Sequence, residues 1–360
     1  MSLQFSSLQT LTTDEKYMSR CIQLAQLGLG SVAPNPMVGA LLVYGGKIIG
    51  EGYHKKYGEW HAEVNCMNSV DEENRSLIEK STMYVSLEPC SHYGKTPPCA
   101  DLILKNKIGN VVIGCQDIYK EVAGQGIQRL KQAGVNVVVG ILEKECIQLN
   151  KRFFTFHEKK RPYVILKWAQ TADAKVGTEN DERTLISNDY SNRLVHKWRS
   201  EEDAIMVGTR TALKDDPSLT TRLWKGKNPI RIVIDKNLKL PLDLKLFSEE
   251  SKTIVINNTK NSAEQNIQYI KIEEGNIIKN ALECLYDLNI QSILVEGGSK
   301  TLQSFIDAGV WDEARIITNE KMMIGKGIKA PDLKHSQLVW EEKYESDRIC
   351  YFKNTYTLLI

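Results

Sequence analysis

Hydrophobic positions along this 360-residue chain change their period repeatedly, and each change marks an element. Thr12-Thr13-Asp14-Glu15 has the spacing of a capping box. Tyr17, Cys21, Leu24 and Ala25 follow at intervals of three and four, predicting a helix that Gly28 and Gly30 end. Pro34-Asn35-Pro36 then leads into an apolar strand over residues 37–44, with Gly45-Gly46 turning into a partner at 47–50. His61 opens a helix through Val64, Cys66 and Met67. Residues 82–87 read as a strand that runs straight into Glu88-Pro89-Cys90. Further strands are expected at 108–114 and 135–140, with a helix around Ile127, Leu130 and Ala133 between them, and a helix over 142–156 closes this half. Strands alternating with helices predict a layered α/β domain with a partly parallel sheet, whose sites sit at the carboxyl ends of strands.

The stretch His157-Glu158-Lys159-Lys160-Arg161-Pro162 is charged, short and ended by proline. It reads as a linker (157–162) between a first domain, 1–156, and a second, 163–360. The second domain opens with an apolar strand over 163–169 that carries one lysine. A helix is expected at 188–199, and strands at 204–208, 230–234, 253–256 and 292–296. The last of these runs into Gly297-Gly298-Ser299 and a helix through Leu302, Phe305 and Ile306. A strand, a glycine turn and a helix start form a cradle for a phosphate, whereas no Gly-x-Gly-x-x-Gly points to a Rossmann fold. Residues 338–344 and 349–359 read as a terminal strand pair.

Charge changes the picture by subtraction. The 47 basic and 45 acidic residues leave a net charge of +2, so no basic surface for nucleic acid or an anionic membrane is expected. No apolar run approaches the ~20 residues of a membrane span. The opening Met-Ser-Leu-Gln-Phe-Ser-Ser lacks the basic and apolar segments of a secretion signal. Eight scattered cysteines then read as reduced thiols of a cytoplasmic protein.

Two short stretches carry the chemistry: His61-Ala62-Glu63, and the run from Pro89-Cys90 to Pro98-Cys99. One His and two Cys supply three zinc ligands, His61, Cys90 and Cys99, and leave the fourth tetrahedral position for water. Glu63 is placed to take a proton from that water and pass it to a leaving amine. His-x-Glu with Pro-Cys and a second Cys is the pattern of zinc deaminases that act on bases. Thr96-Pro97-Pro98 reads as an N-cap followed by proline, which puts Cys99 at a helix start. A purely structural zinc site, with Cys66 or His92 as fourth ligand, is the competing reading, and Glu63 has no purpose in it. The eight residues between the cysteines bring His92 and Lys95 beside the metal, groups suited to a small phosphorylated substrate.

With its Pro-Cys-Ser-His-x-Gly-x-Thr-Pro-Pro-Cys loop, the chain resembles the bifunctional deaminase–reductases of riboflavin biosynthesis. Leu166-Lys167-Trp168-Ala169-Gln170-Thr171-Ala172-Asp173, Val207-Gly208-Thr209, Asp215-Asp216-Pro217-Ser218-Leu219-Thr220, Arg222 and Val295-Glu296-Gly297-Gly298 extend the resemblance through the second half. It implies a cytidine-deaminase-like domain followed by a dihydrofolate-reductase-like one, with zinc and NADPH as cofactors. It also implies hydrolytic deamination of 2,5-diamino-6-ribosylamino-pyrimidinone 5′-phosphate, then reduction of the ribosylamino to the ribitylamino uracil phosphate, in a homo-oligomer (dimer or tetramer). The same resemblance puts Asn35 and His54 on the substrate in the first domain. In the second it puts Lys167 and Glu296 near the reacting sugar, and Arg199, Leu219 and Arg222 on the substrate and its phosphate tail; Arg183, a residue of this chain's own at its position, is expected to add a contact to that phosphate. Ala169, Leu185, Thr211, Asp215, Gly297, Gly298, Ser299, Lys300 and Thr301 are expected around NADPH. Ala174, Arg183 and Leu185 depart from residues common in the family. A deaminase with a degenerate second domain therefore stays open, as does a nucleic-acid-editing deaminase.

Overall fold

The computed structural model describes residues 11–92, 97–119, 123–180 and 184–356. The chain divides into two units, Met1–Lys159 and Lys160–Ile360, each built on its own main sheet.

In the first unit the elements follow as α1 (Thr13–Gln26), β1 (Gly39–Tyr44), β2 (Lys47–Tyr53), α2 (Ala62–Asn68), β3 (Thr82–Leu87), α3 (Cys99–Lys105), β4 (Asn110–Cys115), α4 (Gln125–Gln132), β5 (Asn136–Val139), α5 (Glu143–Leu149) and α6 (Lys151–Lys159). The capping box at α1 forms as expected: Glu15 N–H donates to Thr12 Oγ1 at 3.3 Å, and Thr12 N–H to Glu15 Oε2 at 2.7 Å. Strand order is β2-β1-β3-β4-β5, with β3, β4 and β5 parallel and the β1–β2 hairpin joined to β3 by an antiparallel β1. Alternate strand residues face opposite layers. Leu41, Val43, Tyr84 and Val112 pack on α1, α5 and α6, while Ala40, Leu42, Met83 and Val111 pack on α2, α3 and α4.

Three details differ from the sequence reading. The single helix expected over 142–156 is two, α5 and α6, broken at Asn150. The buried Asn150 amide accepts from Met37 N–H at 2.7 Å and donates to Met37 C=O at 2.9 Å, a partner 113 residues away. Helix α6 also runs on through Lys159, so His157, Glu158 and Lys159 are helical and not linker. At the start of α3 the N-cap is Pro98, which makes no side-chain cap bond; Thr96, expected there, lies outside the described residues.

The second unit contains β6 (Tyr163–Thr171), β7 (Lys175–Gly177), α7 (Asp189–Glu201), β8 (Ala204–Gly208), α8 (Thr209–Asp215), β9 (Ile230–Ile234), β10 (Thr253–Asn257), β11 (Ser262–Glu264), β12 (Ile267–Lys271), α9 (Ile277–Asp287), β13 (Ser292–Gly297), α10 (Ser299–Asp307), β14 (Glu313–Asn319), β15 (Ile328–Lys329), β16 (Ser336–Tyr344) and β17 (Asp347–Asn354). The large sheet runs β11-β12-β10-β9-β8-β13-β6-β14-β17-β16. From β12 to β14 every neighbouring pair is parallel. Carboxyl ends therefore gather along one edge. Val164, Leu166, Ile293 and Val295 pack beneath α9 and α10; Tyr163, Ile165 and Leu294 face α7 through Val195 and Trp198. That parity puts Lys167 and Glu296, the next residues in phase with Ile165 and Leu294, on the α7 side. Ala174, one of the departures noted above, takes a left-handed φ of +54°.

Candidate active sites

In the first unit each ligand is placed by its own local element, and tertiary packing brings the three together. His61 is the N-cap of α2, and Cys99 is the first residue of α3. Cys90 follows β3 after Glu88-Pro89, and its carbonyl accepts from Ala100 N–H at 3.1 Å. His61 Nδ1 lies 3.6 Å from Cys90 Sγ and 3.4 Å from Cys99 Sγ, and Cys99 N–H donates to Cys90 Sγ at 3.3 Å. All three donor atoms are within 4.8 Å of one another. Two thiolates and an imidazole that close fit a zinc ion with one position left open. The hydrogen bond from Cys99 foremost, with His61 assisting against burial, holds the Cys90 thiol down to about 4, and Cys99 is pushed up.

Neither suggested fourth ligand joins this cluster: Cys66 is buried elsewhere in the core and His92 is exposed. Cys99→Ala should therefore lose most of the zinc, and Cys66→Ala should keep it, measured as metal per chain on purified protein. Full zinc in Cys99→Ala would refute the assignment.

Glu63, in the first turn of α2, is 3% exposed and within hydrogen-bond reach of the Cys99 thiol. Burial pushes its carboxyl up from the usual carboxylate range. Beside His61, His54 Nδ1 meets Trp60 C=O at 3.0 Å, which requires the proton on Nδ1. Nε2 is then the acceptor for Asn35 Nδ2 at 3.2 Å. The Asn35 amide is so oriented with its carbonyl oxygen left for a ligand. Burial lowers the pKa of His54, keeping the ring neutral at pH 7. Lys95 lies outside the described residues.

Glu88 was not singled out from sequence, although a Glu at a strand end before Pro-Cys is a legible signal. It is buried and accepts four backbone N–H groups, from Asp117 (3.2 Å), Gly124 (2.9 Å), Gly126 (2.9 Å) and Ile127 (3.1 Å). This pins the start of α4 against the Cys90 segment. A Cβ on Gly126 would stand 2.0 Å from Pro89 C=O, so only glycine permits the approach.

In the second unit a cavity of about 1150 Å³ opens at the carboxyl ends of β6, β8, β9 and β13. Lys167, Ala169, Leu185, Arg199, Thr211, Asp215, Leu219, Arg222, Glu296 and the run Gly297-Gly298-Ser299-Lys300-Thr301 all line it. Arg183 lies outside the described residues. Arg199 grips Glu296 with two parallel 2.8 Å bonds and donates to Thr220 C=O at 3.2 Å, and Lys167 Nζ stands 3.8 Å from Glu296. Burial alone would raise the Glu296 carboxyl. Arg199 and then Lys167 outweigh it and hold the group to about 2. Arg222 donates to Thr220 Oγ1 at 3.0 Å. Leu185 is 70% exposed at the cavity wall. The positive φ of the turn belongs to Gly297 (+141°), while Gly298 is the N-cap of α10 at φ −68°. A Cβ on Gly298 would sit 2.9 Å from Thr211 Oγ1. The glycine turn and the cations around it fit a pyridine dinucleotide phosphate.

His196 also lines this cavity and was missed. It is three residues before Arg199 on α7, a spacing that shares a helix face. Its Nδ1 accepts from Arg222 N–H at 3.0 Å. Burial, then Arg199 and Arg222, lowers its pKa to about 4, so it is neutral at pH 7.

Comparisons with known proteins assign a family to each unit. The family model described as "Cytidine and deoxycytidylate deaminase zinc-binding region" matches residues 11–115, and "RibD C-terminal domain" matches residues 162–343. Riboflavin biosynthesis protein RibD of Aquifex aeolicus is 38% identical over 354 residues, covering 94% of this chain and 98% of its own length. The same-named protein of Actinobacillus pleuropneumoniae is 39% identical over 340 residues, with 91% and 89% covered. A crystal structure of a diaminohydroxyphosphoribosylaminopyrimidine deaminase/5-amino-6-(5-phosphoribosylamino)uracil reductase from Thermotoga maritima superposes with a TM-score of 0.87 at 34% identity, covering 95% of this chain and 99% of that one. Acinetobacter baumannii RibD superposes at 0.85 with 29% identity, covering 95% and 98%. The first unit is thus a cytidine-deaminase-like domain and the second a dihydrofolate-reductase-like one, in the order the resemblance implied. Matched along nearly its whole length, the chain belongs to the RibD family of riboflavin biosynthesis proteins.

Proposed function

We infer that the two units carry out consecutive steps of riboflavin synthesis, a zinc-dependent hydrolytic deamination followed by an NADPH-dependent reduction. The observation that carries the first step is the His61, Cys90 and Cys99 cluster with the buried Glu63 carboxyl against it. When bound there, zinc supplies Lewis-acid activation of a water. Glu63 takes the proton and returns it to the amine, which leaves the pyrimidine as ammonia. Asn35, oriented by His54, holds the ring, while His92 and Lys95 receive the ribose-phosphate end.

For the second step NADPH, held at the Gly297-Gly298 turn, would supply a hydride to C1′ of the ring-opened imine, with a proton from solvent completing the amine. Glu296, ionised at any working pH, and Lys167 position the sugar's hydroxyls. Arg199 orders Glu296 and, with Arg222 and Leu219, borders the substrate; a contact from Arg183 to the phosphate is the sequence expectation. Ala169, Leu185, Thr211, Asp215 and the residues from Gly297 to Thr301 surround the cofactor. The substrate is the diaminopyrimidine ribosylamine 5′-phosphate. A homo-oligomer, dimer or tetramer, is favoured by the apolar side chains of Leu338, Val339 and Trp340 exposed on the edge strand β16. Among the described residues no helix is long and apolar enough to cross a membrane, and with the near-balanced charge we place the enzyme in the cytoplasm, away from nucleic acid.

Incubating the purified chain with the diaminopyrimidine, with and without NADPH, and weighing the products tests both steps. Deaminated product alone without NADPH, and ribityl product with it, is the expected result; no mass change in either sample refutes the reading. Arg222→Ala should raise the reductase KM for substrate about tenfold or more, as befits a lost charge-assisted bond, with NADPH affinity kept.

A further inference from the structure

We propose that Arg210, Lys236 and Lys239 form the subsite for the 2′-phosphate of NADPH, and so make this reductase prefer NADPH to NADH. The proposal rests on the reductase reading above and deepens it, naming the groups that tell the two nucleotides apart.

The sheet sets the direction in which a dinucleotide must lie. Carboxyl ends of β9, β8, β13 and β6 stand side by side in that order, all parallel. Lys167 and Glu296 belong to β6 and β13, so the nicotinamide has to reach that end to meet the sugar. The Gly297-Gly298 turn leaves β13 for α10, and this is the cradle for the pyrophosphate. From there the cavity continues past Thr209 and Arg210 after β8 to Ile234, Asp235, Lys236, Asn237 and Lys239 after β9, and no residue of β14 lines it. The adenosine ribose therefore falls over the ends of β8 and β9.

Register brings the segments that carry the cations to that place. Gly208 on β8 pairs with Ile234 on β9, and Arg210 and Lys236 each stand two residues further on. The turn after β9 is held by its own bonds: Leu240 N–H donates to the buried Asp235 carboxylate at 2.8 Å, Leu238 N–H to Asp235 C=O at 3.2 Å, and Asn258 N–H to Lys236 C=O at 3.0 Å. Lys239 is thereby presented on the same turn.

Five other cations of the cavity are already engaged. Lys167 and Arg199 face Glu296, Lys214 donates to the carbonyls of Thr178 and Asn180, Arg222 to Thr220, and Lys245 pairs with Asp216. Lys300 and Lys329 flank the start of α10, where Ser299 Oγ donates to Lys329 C=O, and serve the pyrophosphate. Arg210, Lys236 and Lys239 are exposed, and their side chains have no ion-pair or hydrogen-bond partner among the described residues. A 2′-phosphate is close to a dianion at neutral pH, and a guanidinium fork with two ammonium groups matches it in charge and in bond directions. NADH offers a hydroxyl there, which these cations favour little.

The full chain and the variants Arg210→Ala, Lys236→Ala and their double are titrated with NADPH and with NADH by nucleotide fluorescence, and 2′,5′-ADP is competed against 5′-AMP. Each single variant should lose about tenfold in NADPH affinity, as a charge-assisted phosphate bond implies, with NADH binding unchanged. In the double variant 2′,5′-ADP should lose its advantage over 5′-AMP. Equal losses for both nucleotides, or no loss for NADPH, overturn the subsite and leave the reductase standing. A wild-type chain that binds no NADPH overturns the reductase reading as well.

Discussion

Glu63→Gln should abolish deamination and leave zinc in place. Glutamine keeps the size and one acceptor of the side chain, so the helix start at His61 and the packing around a nearly fully buried position are retained. What it cannot do is take a proton and give it back. General acid–base catalysis of this kind is worth roughly 10²–10⁴ in rate, and here one carboxyl serves both the water and the leaving amine. The loss should therefore sit at the upper end, in kcat and in kcat/KM alike. Metal analysis beside a deaminase assay separates the outcomes. A Glu63→Gln chain with full zinc and near-normal turnover would return the site to a structural role, and one that lost its zinc would make Glu63 a ligand. Reduction of the separately supplied deaminated intermediate should be unchanged, since Lys167, Glu296 and the glycine turn belong to the other unit.

Glu296→Gln should have the second-largest effect, on reduction alone. The wild-type carboxylate is matched by the two bonds from Arg199 and by Lys167, with all three side chains no more than 13% exposed. Neutralising it leaves two cations facing each other in a half-dry cavity. Removing one partner of a buried pair costs about 3–5 kcal/mol, so the second unit should lose stability while the sugar loses its positioning carboxylate. Reductase kcat should fall at least about a hundredfold, near the low end for a lost transition-state contact of this type. NADPH affinity should stay close to wild type, because the proposed cradle of the cofactor is the neighbouring turn. Gly298→Val is the complement: its Cβ would meet Thr211 Oγ1 at 2.9 Å, and NADPH affinity should collapse with deamination intact. Fluorescence titration of NADPH against both variants tells them apart; a Glu296→Gln chain with normal kcat would dismiss the proposed role. The sign of the pH effect is fixed too. The Glu296 pKa is depressed in the fold, from 4.5 to about 2. Its ion pairs therefore contribute fully above about pH 4.5 and are lost as pH falls toward 2.

Much of this protein was legible in the order of its residues wherever the cause is local. The Thr12 to Glu15 capping box, the 82–87 and 204–208 strands and the helix start at Cys99 depend on neighbours within a few positions, and they form where expected. The clustering of His61, Cys90 and Cys99 was legible for a related reason: coordination demands particular side chains, and His-x-Glu with two following Cys is a rare combination. Resemblance over most of the chain added the order of the domains.

Other features have causes far away in sequence, and no local pattern carries them. A helix-period stretch over 142–156 hides its break, because the bonds that break it go from Asn150 to the backbone of Met37. Strand β14 passed unread, since its buried Glu313 and Arg315 look like surface charges until they are seen 2.7 Å apart, with the guanidinium over the Trp198 ring. Lys167, Arg199 and Glu296 come from two strands and a helix and acquire meaning when strand parity turns Lys167 and Glu296 toward the helix that carries Arg199. The same holds for Arg210 and Lys236, ordinary surface cations in the sequence until the pairing of Gly208 with Ile234 shows that each follows one of two adjacent strand ends. Residue types determine which bonds the chain is able to make; the register of the parallel sheet, set by burying both its faces, decides which of them meet.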